Sequence, residues 1–113
     1  MNLKDKKCIA SYEEPTRLTS EIKENYLKEL SPYWKMDQNG SELRLELSFK
    51  SFKKPYSLVQ KIAEIAELEK HHPDIHFGWG YLKLLITSHN YRNLYENDFI
   101  LAAKIDDVLK DFT

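Results

Sequence analysis

The sequence predicts an α+β domain, an antiparallel sheet with helices packed on one face. Three observations carry that expectation. Periodic segments run helix, two strands, helix, strand, helix, with no regular βαβ repeat. Residues 43–49 and 79–89 alternate in side-chain character with period two. The intervening and flanking segments repeat apolar residues every three or four positions, as one helical face requires. The chain has 113 residues, 42% hydrophobic and 31% charged, which suits a single domain with one thin core that self-association would help.

Residues 1–18 lack periodicity and read as an irregular N-terminal arm, leaving 19–113 as the single domain. Thr19-Ser20-Glu21 starts the first helix: a hydroxyl caps free N–H groups, and Glu21 and Glu24 suit the positive dipole end. Ile22, Tyr26 and Leu30 give it an apolar face, and Ser31-Pro32 ends it. Tyr33 to Met36 fits a short strand, turned at Asp37-Gln38-Asn39-Gly40 into a second one to make a hairpin. In that second strand Leu43, Leu45, Leu47 and Phe49 point one way, and Arg44, Glu46 and Ser48 the other.

Pro55 suits the first turn of the next helix. Leu58, Val59, Ile62, Ile65, Ala66 and Glu69 trace its period, with Lys61, Glu64 and Glu67 toward water. Pro73 is expected to stop it, since proline disfavours helical geometry in the residue before. The segment Asp74 to Gly78 reads as a link. The strand at 79–89 places Leu82, Leu84 and Ile86 on the core face, with Trp79, Tyr81, Lys83, Leu85, Thr87 and His89 opposite. A last helix runs roughly from Glu96 to Lys110, with Leu101, Ile105, Val108 and Phe112 as its stripe and Ala102 and Ala103 permitting close packing.

The net charge of −1 gives no global basic field for nucleic acid, and the Lys50 to Lys54 stretch reads as a solvated strand end. Cys8 is the only cysteine, so no internal disulfide or cysteine-rich zinc site forms; it reads as a packing residue or bystander thiol. The start has no secretory pattern and no segment is a membrane span, so the cytoplasm is the expected compartment.

Chemistry concentrates on histidine, whose unperturbed pKa of about 6.5 allows proton transfer near neutrality. His71 and His72 stand against Pro73, and His89 follows the pair by seventeen residues. Taken singly, each has a plain structural reading. His71 caps a helix C-terminus, His72 occupies a turn, and His89 ends a strand. Jointly, a helix end and the far end of a strand can meet over one pocket. The spacing matches neither a zinc finger nor HExxH, so no metal is expected. Glu67, one turn before His71, either orients it or is simply solvated. His76 reads as exposed, and Trp34 and Trp79, taken alone, as packing residues. Asp98 falls in the first turn of the last helix, where a carboxylate suits the dipole whatever the function.

The combination Glu67, His71-His72-Pro73, Trp79, His89 and Asp98 resembles the signature of the pterin-4a-carbinolamine dehydratase family. The stretches His76-Phe77-Gly78-Trp79-Gly80 and Asp98 to Asp106, and the position of Trp34, are similar too, so the likeness spans roughly residues 19–112. It implies an αββαβα fold, α+β, with a four-stranded antiparallel sheet and three helices on one face. The fourth strand would be a short or partner-supplied element. It further implies a homodimer or homotetramer.

The implied activity is removal of water from 4a-hydroxytetrahydrobiopterin to give quinonoid dihydropterin, recycling the cofactor of an aromatic amino acid hydroxylase. The resemblance makes His71 and His89 the acid–base pair and His72 a positioning group. It maps pterin binding onto His71, His72, Pro73, Ser88, His89, Asn90 and Tyr91, with Glu67 and Trp79 behind them. No metal or bound cofactor is implied, no direct nucleic-acid partner and no membrane. Two other functions go with the same family: a dimerisation or assembly cofactor without catalysis, and a dehydratase for another pterin. The chain departs from the family pattern at Asn93, where a turn glycine is common, at Tyr95, where Ser or Thr often caps the helix, and at Lys83.

Overall fold

The structure is a computed structural model that describes residues 2–10 and 13–112. Helix α1 (Ser20–Glu29) is followed by the hairpin β1 (Trp34–Met36) and β2 (Leu43–Ser48), helix α2 (Lys53–Glu69), a second hairpin β3 (Asp74–Gly78) and β4 (Tyr81–Ile86), and helix α3 (Glu96–Leu109). The four strands form one antiparallel sheet in the order β1-β2-β4-β3. The class, the sheet and the three helices are those expected. The fourth strand is β3, in the segment read as a link, and the order is therefore αββαββα. Ile75 and Phe77 alternate with Asp74 and His76 there. With only two apolar residues between Pro73 and Gly78, the pattern carries little weight by itself.

Period-two patterning sets the sheet's inner face. Leu43, Leu45 and Leu47 pair with Ile86, Leu84 and Leu82, and all six are buried. Arg44, Glu46, Tyr81 and Lys83 are exposed on the other face. The helices cover the inner face with Leu58, Ile62, Phe99, Leu101 and Ile105. Full burial of each such side chain stabilises the fold by roughly 1.5–3 kcal/mol. Gly80, at φ 84°, closes the β3–β4 turn; its N–H donates to the Ser51 carbonyl at 3.0 Å, while the Phe49 carbonyl lies 3.1 Å from where a Cβ would sit. Among the described residues no helix is long and apolar enough to cross a membrane.

Helix α1 starts as expected, with Thr19 Oγ1 accepting from the Ile22 N–H at 3.2 Å. Its buried side differs from the apolar stripe. Ile22 is 38% exposed and Lys23 only 7%. The Lys23 ammonium donates to the Gly40 carbonyl at 2.8 Å and Asn93 Oδ1 at 2.7 Å, tying α1 to the β1–β2 turn and to the loop before α3. Burial lowers its pKa, against the pull of Asp37. Trp34 is buried, with Nε1 donating to Asp106 Oδ1 at 2.9 Å; the same carboxylate accepts from the N–H and hydroxyl of Ser31.

The arm is not detached. A 3-10 turn at Leu3–Asp5 buries Leu3 against α3, and the Cys8 N–H donates to Glu69 Oε1 at 2.9 Å. Residues 11 and 12 of the arm lie outside the described residues.

Candidate active site

Helix α2 ends before Pro73 acts. Lys70 adopts the left-handed conformation (φ 54°), and the backbone N–H groups of Lys70 and His71 both turn back to the Ala66 carbonyl. His71 and His72 therefore leave the helix in different directions, and the turn from Glu67 to His71 is broken. Glu67 pairs instead with His72, Oε2 to Nε2 2.8 Å, both groups exposed.

The carboxylate that reaches His71 comes from the far side of the chain. Asp98, in the first turn of α3, lies 2.6 Å from His71 Nε2 and is fully buried. Its other oxygen accepts from the Ser88 hydroxyl at 2.7 Å and the Tyr95 N–H at 2.8 Å. A carboxylate receiving three donors serves as acceptor throughout, so the Nε2 of His71 carries its proton and Nδ1 is left to exchange one. The expected dipole role of Asp98 is thus the smaller part of its work. The same bond from Tyr95 satisfies an N–H at the start of α3, where Ser or Thr is absent. Nothing in the spacing reveals this contact, which spans 27 residues and two helices.

Strand β4 ends at Ile86, so strand parity does not extend to His89. Ser88 to Asn93 form a tight loop: the N–H groups of Tyr91 and Arg92 both donate to the Ser88 carbonyl, and Ser88 bridges Asn93. Arg92, at φ 49°, takes the left-handed place in this loop, and Asn93 Oδ1 receives the Lys23 ammonium. His89 is exposed with Nε2 3.4 Å from Asp74 Oδ2. Each of the three histidines thus has its own carboxylate, and only the His71 pair is shielded from water.

His71, His72, Pro73, Ser88, His89, Asn90 and Tyr91 all line one cleft of about 290 Å³, with Asp74, Tyr95 and arm residues. Tyr91 and Tyr95 meet there edge to face at 5.2 Å between centroids. Trp79 does not join them. It is 68% exposed in the β3–β4 turn, whereas the cleft lies at the opposite end of that hairpin, beside Asp74. Four residues of strand separate the two ends, roughly 13 Å. Neither Trp79, in the turn before β4, nor His89, beyond its end, is a strand residue, so the shared face expected from alternation does not hold for this pair. His76 is exposed in β3, opposite Lys83.

A larger hollow of about 540 Å³ lies between the arm, the end of α1 and α3. It holds no histidine or cysteine, and its Asp106 is committed to Ser31 and Trp34, so the smaller cleft is the candidate for proton-transfer chemistry. Among the described residues no three His, Cys, Asp or Glu side chains gather to hold a metal.

The surroundings of Cys8 favour the neutral thiol. Burial, then Glu69 beside it, pushes the thiol up from 9.0 to about 12. We expect folded protein to resist iodoacetamide at pH 8, because roughly one thiol in ten thousand is ionised at that pH; rapid alkylation would contradict this. The raised pKa supports the fold below pH 9, and that support falls away between pH 9 and about 12.

Comparison with known proteins adds an independent line. The family model described as "Pterin 4 alpha carbinolamine dehydratase" matches residues 16–108. A protein of Alkaliphilus metalliredigens, provisionally named a pterin-4-alpha-carbinolamine dehydratase, is 41% identical over 106 residues, covering 93% of this chain and 94% of its own length. One of Halorhodospira halophila with the same provisional name is 37% identical over 106 residues, covering 94% and 96%. Among solved structures, a "transcriptional coactivator/pterin dehydratase" of Brucella melitensis superposes with TM-score 0.74 at 22% identity, over 82% of this chain and 98% of that one. A "pterin dehydratase-like protein" described as a RuBisCO assembly factor of the alpha-carboxysome gives TM-score 0.56 at 21% identity, over 66% and 87%. At those identities the two structures speak for the fold alone.

Proposed function

Since the chain belongs to the pterin-4a-carbinolamine dehydratase family, we propose that it removes water from a 4a-hydroxytetrahydropterin by histidine acid–base catalysis. In this reaction the C4a–O bond breaks and the hydroxyl leaves as water with a proton from one imidazole. A second imidazole takes the proton from N5, whose electron pair forms the C4a–N5 double bond of the quinonoid dihydropterin. His71 and His89 are the acid–base pair, and their roles can exchange between substrate epimers. His72 positions the ring, with Pro73, Ser88, Asn90 and Tyr91. Asp98 orients His71 and holds its tautomer. General acid–base catalysis of this kind contributes about 10²–10⁴ in rate.

The observation that carries the reading is the convergence of three imidazoles on one cleft, each beside its own carboxylate. No metal or resident cofactor enters the reaction as written. The test is direct: 4a-hydroxytetrahydrobiopterin, generated by an aromatic amino acid hydroxylase, should dehydrate faster by ultraviolet absorbance when the protein is added. A rate no higher than buffer would refute the enzyme and leave the fold a non-catalytic assembly role. We place this activity in the cytoplasm, in tetrahydrobiopterin recycling beside such a hydroxylase.

Self-association, as a homodimer or homotetramer, is part of the proposal. It is supported by the two sheet edges, β1 and β3, and by exposed Phe52, Tyr56 and Trp79. A monomer in sedimentation velocity at micromolar concentration would refute it.

A further inference from the structure

The cleft has a wall that the histidine set does not explain. Ile9, Ala10, Glu13 and Pro15, all from the N-terminal arm, line it beside His71 and His89. The arm is fastened at this point by Asn97 of α3. Asn97 Oδ1 accepts from the Ile9 N–H at 3.0 Å, and its Nδ2 donates to the Ile9 carbonyl at 3.2 Å. One side-chain amide thus matches both backbone groups of one residue, as a neighbouring strand would. The Cys8 N–H bond to Glu69 and the Lys6–Glu96 pair at 3.3 Å hold the same stretch. Beyond it the Glu13 N–H donates to the Ala10 carbonyl at 3.0 Å, a bond that ties Glu13 to the fastened stretch beside the cleft.

Two carboxylates line the cleft, Asp74 and Glu13. Asp74 faces His89. The Glu13 side chain has no hydrogen-bond or ion-pair partner among the described residues. We propose that the arm is a specificity element, in which Asn97 clasps Ile9 and Glu13 reads the amino edge of a pterin. This rests on the pterin dehydratase reading for its substrate class.

The pyrimidine edge of a pterin presents a 2-amino group beside N3–H, a pair of donors. A carboxylate accepts both at once. A lumazine carries an oxygen in place of the amino group and turns an acceptor toward the same carboxylate, which repels it. Ile9 and Pro15 supply apolar surface for a flat ring. Asn97 acts through the arm and touches no reacting atom, so it is a positioning residue.

The test uses the full chain and two fluorescent probes, 6-methylpterin and 6-methyllumazine, titrated against wild type, Glu13→Gln and Asn97→Ala. Wild type should prefer the pterin by roughly tenfold, the scale of one charge-assisted hydrogen bond. Glu13→Gln should bring the two probes to near parity. Asn97→Ala should weaken the pterin by a similar factor and raise KM for the hydroxylated substrate with kcat within about twofold, a split that a merely structural role would not produce. Wild type binding both probes equally, or Glu13→Gln keeping the full preference, overturns the arm's role while leaving the dehydratase intact. Wild type that binds neither probe and shows no dehydration overturns both.

Discussion

An Asp98→Ala protein is expected to lose roughly 3–5 kcal/mol of folding stability, the scale for removing one member of a buried charged cluster. The carboxylate is fully buried and receives His71 Nε2, the Ser88 hydroxyl and the Tyr95 N–H. Alanine leaves all three donors without an acceptor inside the protein. For a domain this small that is a large part of the total, typically 5–15 kcal/mol. Asp98→Asn separates structure from chemistry. It keeps the shape and one acceptor oxygen, so it should fold, but its amide N–H₂ competes with the donors and can turn His71 to the wrong tautomer. A fall in kcat on the order of 10²–10⁴ is then expected with KM little changed. Urea unfolding followed by the fluorescence of buried Trp34 gives the first number, and the dehydration assay the second. A stability loss below about 1 kcal/mol for Asp98→Ala would show that the cluster is not what joins α2 to α3.

The second large effect concerns the histidines themselves. His71→Ala and His89→Ala should each lower kcat by about 10²–10⁴. The double variant should fall little further than the worse single one, because a proton-transfer pair acts as a unit. His72→Ala should act mainly on KM, since its imidazole pairs with exposed Glu67 outside the buried cluster. Stability should separate the two positions proposed as the acid–base pair. His71 is joined to Asp98 and its loss should destabilise by about 1–3 kcal/mol, whereas exposed His89 should be replaceable within about 0.5 kcal/mol. Equal rates for wild type and His89→Ala would remove His89 from the mechanism.

Much of the framework can be read from local pattern. The alternation in Leu43, Leu45, Leu47 and in Leu82, Leu84, Ile86 identifies the inner sheet face, because a strand's side-chain period is two and each of these residues meets the same layer of helices. Thr19 marks a helix start because its hydroxyl bonds within three residues. The spacing from Glu67 through His71-His72-Pro73 to Asp98 is legible because family membership is written in order along the chain. Strand β3 is harder: as an edge strand it shows only two half-buried apolar residues, Ile75 and Phe77. Periodicity alone also gives no sign that Lys23 is buried, since it sorts residues by type, and a lysine goes inside only when carbonyls such as that of Gly40 are waiting for it.

By itself, then, the sequence determined the class, the strand faces, the helix starts and which residues are candidates for proton transfer, since each depends on neighbours a few positions away. Only the tertiary structure decided which carboxylate serves which histidine. Glu67 went to His72 because left-handed Lys70 breaks the helical turn that would carry it to His71. Asp98 went to His71 because the packing of α3 against the end of α2 buries the two together, where an acceptor without a donor would be costly. Those pairings join residues whose distance in sequence carries no geometric information, and chain folding alone supplies it.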